Sequence, residues 1–230
     1  MNRVLEVRRL GRIPYAEALE LQRRLADERI AGAIPDTLVL LEHPPVVTLG
    51  RGTKASSLPL DPDALRARGV DVYEIERGGD VTYHGPGQLV GYPILDLHGL
   101  KPDLHWYLRQ LEEALIRALA TLDIPSERNP GYTGVWTRGR KIASIGIHVR
   151  QWVTWHGFAL NVTTDLSAFD LIVPCGIRDV VMTSVLKESS RAAGMPPDAL
   201  MAAASEAVVV SLSAVFGYES AVTAEGPSAS

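Results

Sequence analysis

A chain of 230 residues, 46% hydrophobic and 22% charged, is too apolar for disorder and suits one large globular domain. Its formal net charge of -4 argues against nucleic acid as a main partner. The single cysteine excludes an intrachain disulfide and fits a reducing compartment. Arg3, Glu6, Arg8 and Arg9 break up the first ten residues, so no apolar signal core is present there. No run reads as a membrane span of about 18 apolar residues, and the expected location is the cytoplasm.

Val4 to Leu10 reads as a strand closed by Gly11. Pro14 is placed to open a helix with Ala18, Leu21 and Leu25 on one face. Thr37–Leu41 and Val46–Leu49 read as two strands joined tightly through Pro44 and Pro45. Asp61-Pro62 starts a short helix that Gly69 ends, and Val70–Ile75 is a further strand. The glycine-rich run Arg77–Gln88 reads as a loop, and Gln88–Leu95 as a strand. Asp103 caps the clearest helix, in which Leu104, Leu108, Leu111, Leu115, Leu119 and Leu122 recur at helical spacing. Lys141–Val149 and Thr154–Val162 read as strands joined by a hairpin-sized link. Asp198 is placed to cap a last helix that runs to Phe216 and stops at Gly217. The expected organisation is one catalytic domain over residues 1–217 and a flexible tail over 218–230. The class is α+β, a mixed, largely antiparallel sheet with flanking helices.

Four segments could carry chemistry. The first is Arg77 to Gln88, where four glycines and a proline let the backbone approach a ligand closely. It matches neither a phosphate-binding loop nor a dinucleotide fingerprint. His84 and Gln88 could aim side chains from it. The second is Lys141 to Val149. Strand alternation puts Lys141 on the face of Ala143, Ile145, Ile147 and Val149. A lysine there either snorkels to water from the strand end, the reading that the sequence favours, or is partly buried, where desolvation favours the uncharged amine. In the third, Trp155 to Asn161, Gly157 and Ala159 share a face of little bulk, as Ser144 and Gly146 do on the preceding strand. Paired, these positions leave a slot beside the sheet or merely admit a packed helix. The fourth is Ile172 to Ile177. Cys175 stands between Pro174 and Gly176, so an inert core thiol and a nucleophile with an open backbone N–H both fit. The six histidines, His43, His84, His98, His105, His148 and His156, show no metal-ligand spacing, and no metal site is expected.

In this order, Arg77-Gly78-Gly79, Thr82-Tyr83-His84-Gly85-Pro86-Gly87-Gln88, Lys141-Ile142-Ala143, His156-Gly157-Phe158-Ala159-Leu160-Asn161 and Pro174-Cys175-Gly176-Ile177, with Glu42-His43-Pro44 upstream, resemble the lipoyl(octanoyl) transferase family. The resemblance covers roughly Val4 to Glu188. It implies a fold similar to that of lipoate- and biotin-protein ligases. It also implies transfer of an octanoyl group from the phosphopantetheine of acyl carrier protein to a lysine of a lipoyl domain, in 2-oxoacid dehydrogenase complexes or the glycine cleavage H protein. Cys175 corresponds to the family's acyl-thioester nucleophile and Lys141 to the lysine that activates it. Substrate contacts map to Arg77, Gly78, Gly79, Asp80, Val81, Thr82, Tyr83 and His84, to Ser144, Ile145 and Gly146, and to Gly157, Phe158 and Ala159. A thioester donor is already activated, so neither ATP nor a metal cofactor is expected. An ATP-using lipoate-protein ligase, a cysteine hydrolase pairing Cys175 with His84 or His156, and a non-catalytic acyl-binding module are the competing readings.

Overall fold

The computed structural model describes residues 3–173 and 180–223. In chain order the elements are β1 (Val4–Arg12), α1 (Tyr15–Ile30), β2 (Asp36–Glu42), β3 (Val46–Leu49), α2 (Pro62–Arg66), β4 (Asp71–Glu74), β5 (Val81–His84) and β6 (Gln88–Ile94). There follow α3 (Leu104–Ala120), β7 (Glu127–Asn129), β8 (Tyr132–Thr137), β9 (Arg140–Arg150), β10 (Val153–Asn161), α4 (Val185–Glu188), α5 (Pro197–Phe216) and β11 (Ser220–Thr223). Among the described residues the strands form two sheets. One has eight strands in the order β11-β1-β2-β6-β10-β9-β8-β7, and the other is β4-β3-β5. β1 pairs in parallel with β2 and β11, and β3 with β4; the other pairings are antiparallel. This is the α+β class read from the sequence.

Both faces of the large sheet are covered. Leu38 and Leu40 of β2 join the core under α3 and α5, while Val39 and Leu41 join the core under α1. A strand buried on both sides needs an unbroken apolar run, which explains Leu38-Val39-Leu40-Leu41. On α3 the carboxylate of Asp103 accepts the N–H of Trp106, and Leu111, Leu115 and Leu119 face the core. The Gln151-Trp152 link of the β9–β10 hairpin has φ of 49° and 60°, the signs that a two-residue type I′ turn requires.

Several elements depart from the sequence reading. β1 continues past Gly11 to Arg12 through a register shift. β2 and β3 lie in different sheets, so the Pro44-Pro45 link carries the chain from one sheet to the other. β5 is a fully buried strand inside the run taken as a loop, because the β-formers Val81, Thr82 and Tyr83 outweigh the glycines around them. β7 and β8 were not expected. The helix α5 is capped at Pro196 and has Pro197 in its first turn, with Asp198 already inside. At 20 residues α5 is long and apolar enough to cross a membrane, contrary to the reading that no such run exists. Here Leu200, Ala204, Val208, Leu212 and Phe216, four residues apart, bury one face against the core that α3 shares. The tail expected to be flexible supplies β11, whose residues 220–223 pair with Val4–Val7.

Asp36, 6% exposed, ties the termini to the sheet. Its carboxylate accepts hydrogen bonds from Arg29 Nε at 2.8 Å, the Asp96 N–H at 2.9 Å and the Tyr218 hydroxyl at 2.7 Å. Removing it strands these donors in a nearly dry site. Asp36→Ala should cost about 3 kcal/mol, read as a lower urea midpoint at unchanged m, and Asp36→Asn should recover part of the loss.

Candidate active site

Two backbone stretches build the site. The strap Arg77–Gly79 is clamped on both sides: Arg51 N–H donates to Arg77 O at 3.0 Å, Gly52 N–H to Gly79 O at 2.9 Å, and Gly78 N–H to Ile147 O of β9 at 2.9 Å. A Cβ on Gly50 would strike the Gly79 carbonyl, so glycine lets the two stretches touch. Beneath the strap the Arg77 guanidinium, on a residue 7% exposed, donates to the carbonyl and hydroxyl of Thr48 at 2.8 and 2.9 Å. The second stretch is the β9–β10 hairpin, which sets Gly146 opposite Gly157 and Ser144 opposite Ala159.

Those four small residues lie along a cleft of ≈ 490 Å³, completed by Ile145 and Phe158 and by Gly79, Asp80, Val81 and Thr82 from the opposite side. Arg77, Tyr15, Val90, Tyr92, His84 and His156 also line it. The two glycines pack against β6 and the strap, not against a helix. They border the cleft, yet a Cβ on Gly157 would meet the Gly91 carbonyl and Pro93, and one on Gly146 would meet Arg77 Cδ at 3.0 Å and Gly78 O at 3.1 Å. Close packing of backbone and strap therefore requires them.

Lys141 does not snorkel. It is 2% exposed and lines a second cleft of ≈ 790 Å³ that shares Gly79, Asp80, Ile145 and Gly146 with the first. Its ammonium lies 5.6 Å from the centre of the Trp136 ring. The decisive neighbour is Gly134 on β8. At φ 127° it holds a conformation that L side chains rarely adopt, and a Cβ there would sit 2.9 Å from Lys141 Cε and 2.6 Å from Ala143 O. Gly134 N–H in turn donates to the buried Glu112 carboxylate at 3.2 Å.

His84 and His156 line the first cleft, and His43 packs against His84. His43 Nδ1 must donate to the Ile13 carbonyl at 2.9 Å, so its Nε2 accepts the Tyr92 hydroxyl proton at 2.8 Å. His84 Nδ1 donates to Gln88 Oε1 at 2.7 Å. Burial pushes His43 down to about 4 and His84 to about 3, the latter also opposed by His43. Burial likewise pushes His156 down to about 3, against the pull of Glu76. Burial opposes ionisation of Glu76, but hydrogen bonds from Arg23 and Trp155 bring it to about 2. An ionised Glu76 therefore faces a neutral His156.

The structure thus brings together Arg77, Gly78, Gly79, Asp80, Val81, Thr82, His84, Ser144, Ile145, Gly146, Gly157, Phe158, Ala159 and Lys141 around two adjoining clefts. Tyr83 borders neither and packs on Phe169, 5.6 Å between ring centres. Cys175 lies outside the described residues. Glu42, Gly50, Glu112 and Gly134 were not picked out as site residues. Glu42 accepts the Gly87 N–H at 2.6 Å and so fixes the loop after β5. The alternation in Tyr132-Thr133-Gly134-Val135-Trp136 was the available signal for β8.

The profile of the lipoyl protein ligase A/B catalytic domain matches residues 14–208. An octanoyltransferase of Gloeobacter violaceus is 58% identical over 168 residues, 73% of each chain. One of Rubrobacter xylanophilus is 56% identical over 190 residues, 81% of this chain and 85% of its own. The chain belongs to the lipoyl(octanoyl) transferase family. Solved structures extend the likeness of fold. A Thermoplasma acidophilum putative lipoate protein ligase with bound lipoic acid superposes with a TM-score of 0.70 at 17% identity, over 98% of this chain and 90% of that one. A lipoate-protein ligase A bound with ATP gives 0.71 at 16% identity over the same shares. At such identities these neighbours speak for the fold of the family alone.

The buried imidazoles make acid stability a test of the site. The folded pKa of His43 and of His84 lies below the unfolded value of 6.5, so the unfolded chain takes up protons first as pH falls. Stability should be full above pH 6.5 and fall toward pH 4 by roughly 1.4 kcal/mol per pH unit for each histidine. Urea unfolding at pH 7 and 4.5 reads the loss. An NMR titration in which either imidazole protonates near pH 6.5 in the folded protein would refute this account.

Proposed function

We propose that the chain transfers an octanoyl group from octanoyl-acyl carrier protein to a lysine of a lipoyl domain, through a thioester on Cys175. The observation that carries this reading is a buried lysine lining one of two adjoining clefts, the other bordered by paired small residues. The named activity of the relatives supplies the acyl group, and a Thermoplasma acidophilum ligase described together with its E2 lipoyl domain supports the acceptor. Lipoyl domains of 2-oxoacid dehydrogenase complexes and the glycine cleavage H protein are the acceptors that this chemistry fits.

The anchors around Cys175 support its role. Val173 N–H donates to Ser57 O at 2.9 Å, and the Ser57 hydroxyl donates to Asp80, which borders both clefts. On the other side, Lys141 N–H donates to Val181 O at 2.8 Å. Cys175 follows the first anchor by two residues and precedes the second by six.

In the first half-reaction the Cys175 thiolate attacks the thioester carbonyl of the donor. A new C–S bond forms, the bond to phosphopantetheine breaks, and that sulfur leaves with the electron pair and takes a proton from the Lys141 ammonium, which is left as the neutral amine. One thioester replaces another, so little driving force is lost and no nucleotide is consumed. In the second, the neutral amine of the acceptor lysine attacks the Cys175 thioester. An amide forms, the cysteine sulfur leaves as thiolate, and the amine's surplus proton passes to Lys141. As an ammonium Lys141 stabilises the thiolate; as an amine it takes the acceptor's proton. Each CH₂ of the acyl chain buried in the cleft contributes about 0.8 kcal/mol.

Intact-mass measurement after mixing with octanoyl-acyl carrier protein should show one octanoyl adduct, mapped to Cys175 and absent from Cys175→Ala. Transfer should persist in EDTA with nucleotide removed; a strict nucleotide requirement would assign the chain to the ATP-using ligases instead. In single-turnover kinetics Lys141→Ala should slow both half-reactions. Lys141→Arg keeps the charge but cannot release its proton in this range, so it should retain part of the acylation rate and lose most of the second transfer. A wild-type second rate in Lys141→Arg would remove the base role.

A further inference from the structure

The backbone wall of the Lys141 chain is held by a side chain outside both clefts. Glu112 of α3 is 1% exposed and borders neither of them. Its Oε2 accepts hydrogen bonds from Arg109 at 2.6 Å and from Arg128 of β7 at 3.2 Å, two half-exposed guanidinium groups whose ion pairs compensate the burial. Oε1 turns to β8, where it accepts the Gly134 N–H at 3.2 Å. β8 pairs with β9 through Val135, Trp136 and Thr137, with a register shift between Val135 and Trp136. Such a shift takes backbone groups out of the strand ladder. Gly134 stands just before it at φ 127°, and its N–H is held by a side chain of α3 instead of by β9. This stretch lies directly against the lysine. A Cβ on Gly134 would sit 2.9 Å from Lys141 Cε and 3.4 Å from Nζ, and the Trp136 ring stands 5.6 Å from the ammonium.

Resting on the role of Lys141 in acyl transfer, we propose that Glu112 is a positioning residue for Lys141 and acts through the Gly134 hydrogen bond. The bond fixes the backbone against which the lysine chain lies, and with it the place of Nζ when it gives and takes the transferred proton. Without the bond Gly134 and its neighbours relax, and the amine loses its seat. A reacting group displaced by about 1 Å can cost on the order of 10²-fold in rate. Glu112 itself touches neither substrate nor proton.

Glu112→Asp makes the test. It keeps the carboxylate for Arg109 and Arg128, whose long side chains can follow it, but draws it back by one methylene from Gly134. In the full-length chain, single-turnover transfer from acyl-enzyme to a saturating lipoyl domain should slow about tenfold, with KM for the lipoyl domain within about twofold of wild type. In the Lys141→Ala background the same substitution should change the rate less than about twofold, because no amine is left to misplace. Equal losses in both backgrounds would mean that Glu112 only supports the fold, and would overturn the proposal, as would a wild-type rate in Glu112→Asp. A second readout needs no turnover. Lys141 is one of four lysines, and the Trp136 ring current displaces its ε-CH₂ resonance in ¹³C-lysine NMR. Glu112→Asp should move that resonance, and an unmoved one overturns the proposal. A wild-type protein that transfers no octanoyl group, or a Lys141→Ala protein that transfers it at the full rate, sinks the acyl-transfer reading, while the resonance still decides whether Glu112 places the lysine.

Discussion

Backbone hydrogen bonds seat the Arg77–Gly79 strap between residues 51–52 and β9, and both clefts owe their shape to that seat. The strap links the small sheet to β9 of the large one. Because the bonds run through N–H and C=O groups, the side chains around them are left to serve other purposes: Arg77 turns inward to Thr48, while Gly78 and Gly79 keep the wall thin. Glycines at 50, 146 and 157 are the steric condition for the arrangement, since a Cβ at any of them would intrude on neighbouring backbone or on Arg77. The catalytic architecture thus rests on close backbone approach, which is costly to alter by a single side-chain replacement.

Legibility in the sequence followed the range of the interactions. The helix α3 could be read because its cap and its leucines lie within one segment. The pairing of Gly146 with Gly157 could be anticipated because a two-residue turn fixes the register of the hairpin. The burial of Lys141 could not. It depends on Gly134 and Trp136 of β8, a strand hidden by its short partner β7, and on Glu112 of α3, which holds Gly134 in place. Within β9 alone a terminal lysine reads as a snorkel. β5 was missed for a related reason: its strand character is confined to four residues among glycines, and only its pairing with β3 makes it a strand. The glycines of Arg77–Gln88 still singled the run out as chemistry even though its local structure was misread.

The electrostatic design around the clefts is economical in charge. His43 spends both ring nitrogens on Ile13 and Tyr92, His84 spends Nδ1 on Gln88, and burial keeps both rings neutral. Glu76 is ionised and held by Arg23 and Trp155 at the rim. The first cleft carries Arg77 and Asp80 among mostly uncharged lining residues, and the buried Lys141 stands in the adjoining space. Lys141 and the small residues Ser144 and Gly146 therefore sit on neighbouring stretches of one strand.

The pairing of β1 with β11 has a consequence for how the protein is made. β1 is synthesised more than two hundred residues before its outer neighbour, residues 220–223. On the ribosome that edge stays open while the remainder of the large sheet can already assemble, and an open parallel edge invites pairing with other chains. Arg8, Arg9 and Arg12 are spaced along β1, charges that discourage such pairing until release. Strand closure across more than two hundred residues is then a late, long-range event, and a nascent chain stalled before Ser220 would carry an aggregation-prone edge despite having its clefts in place.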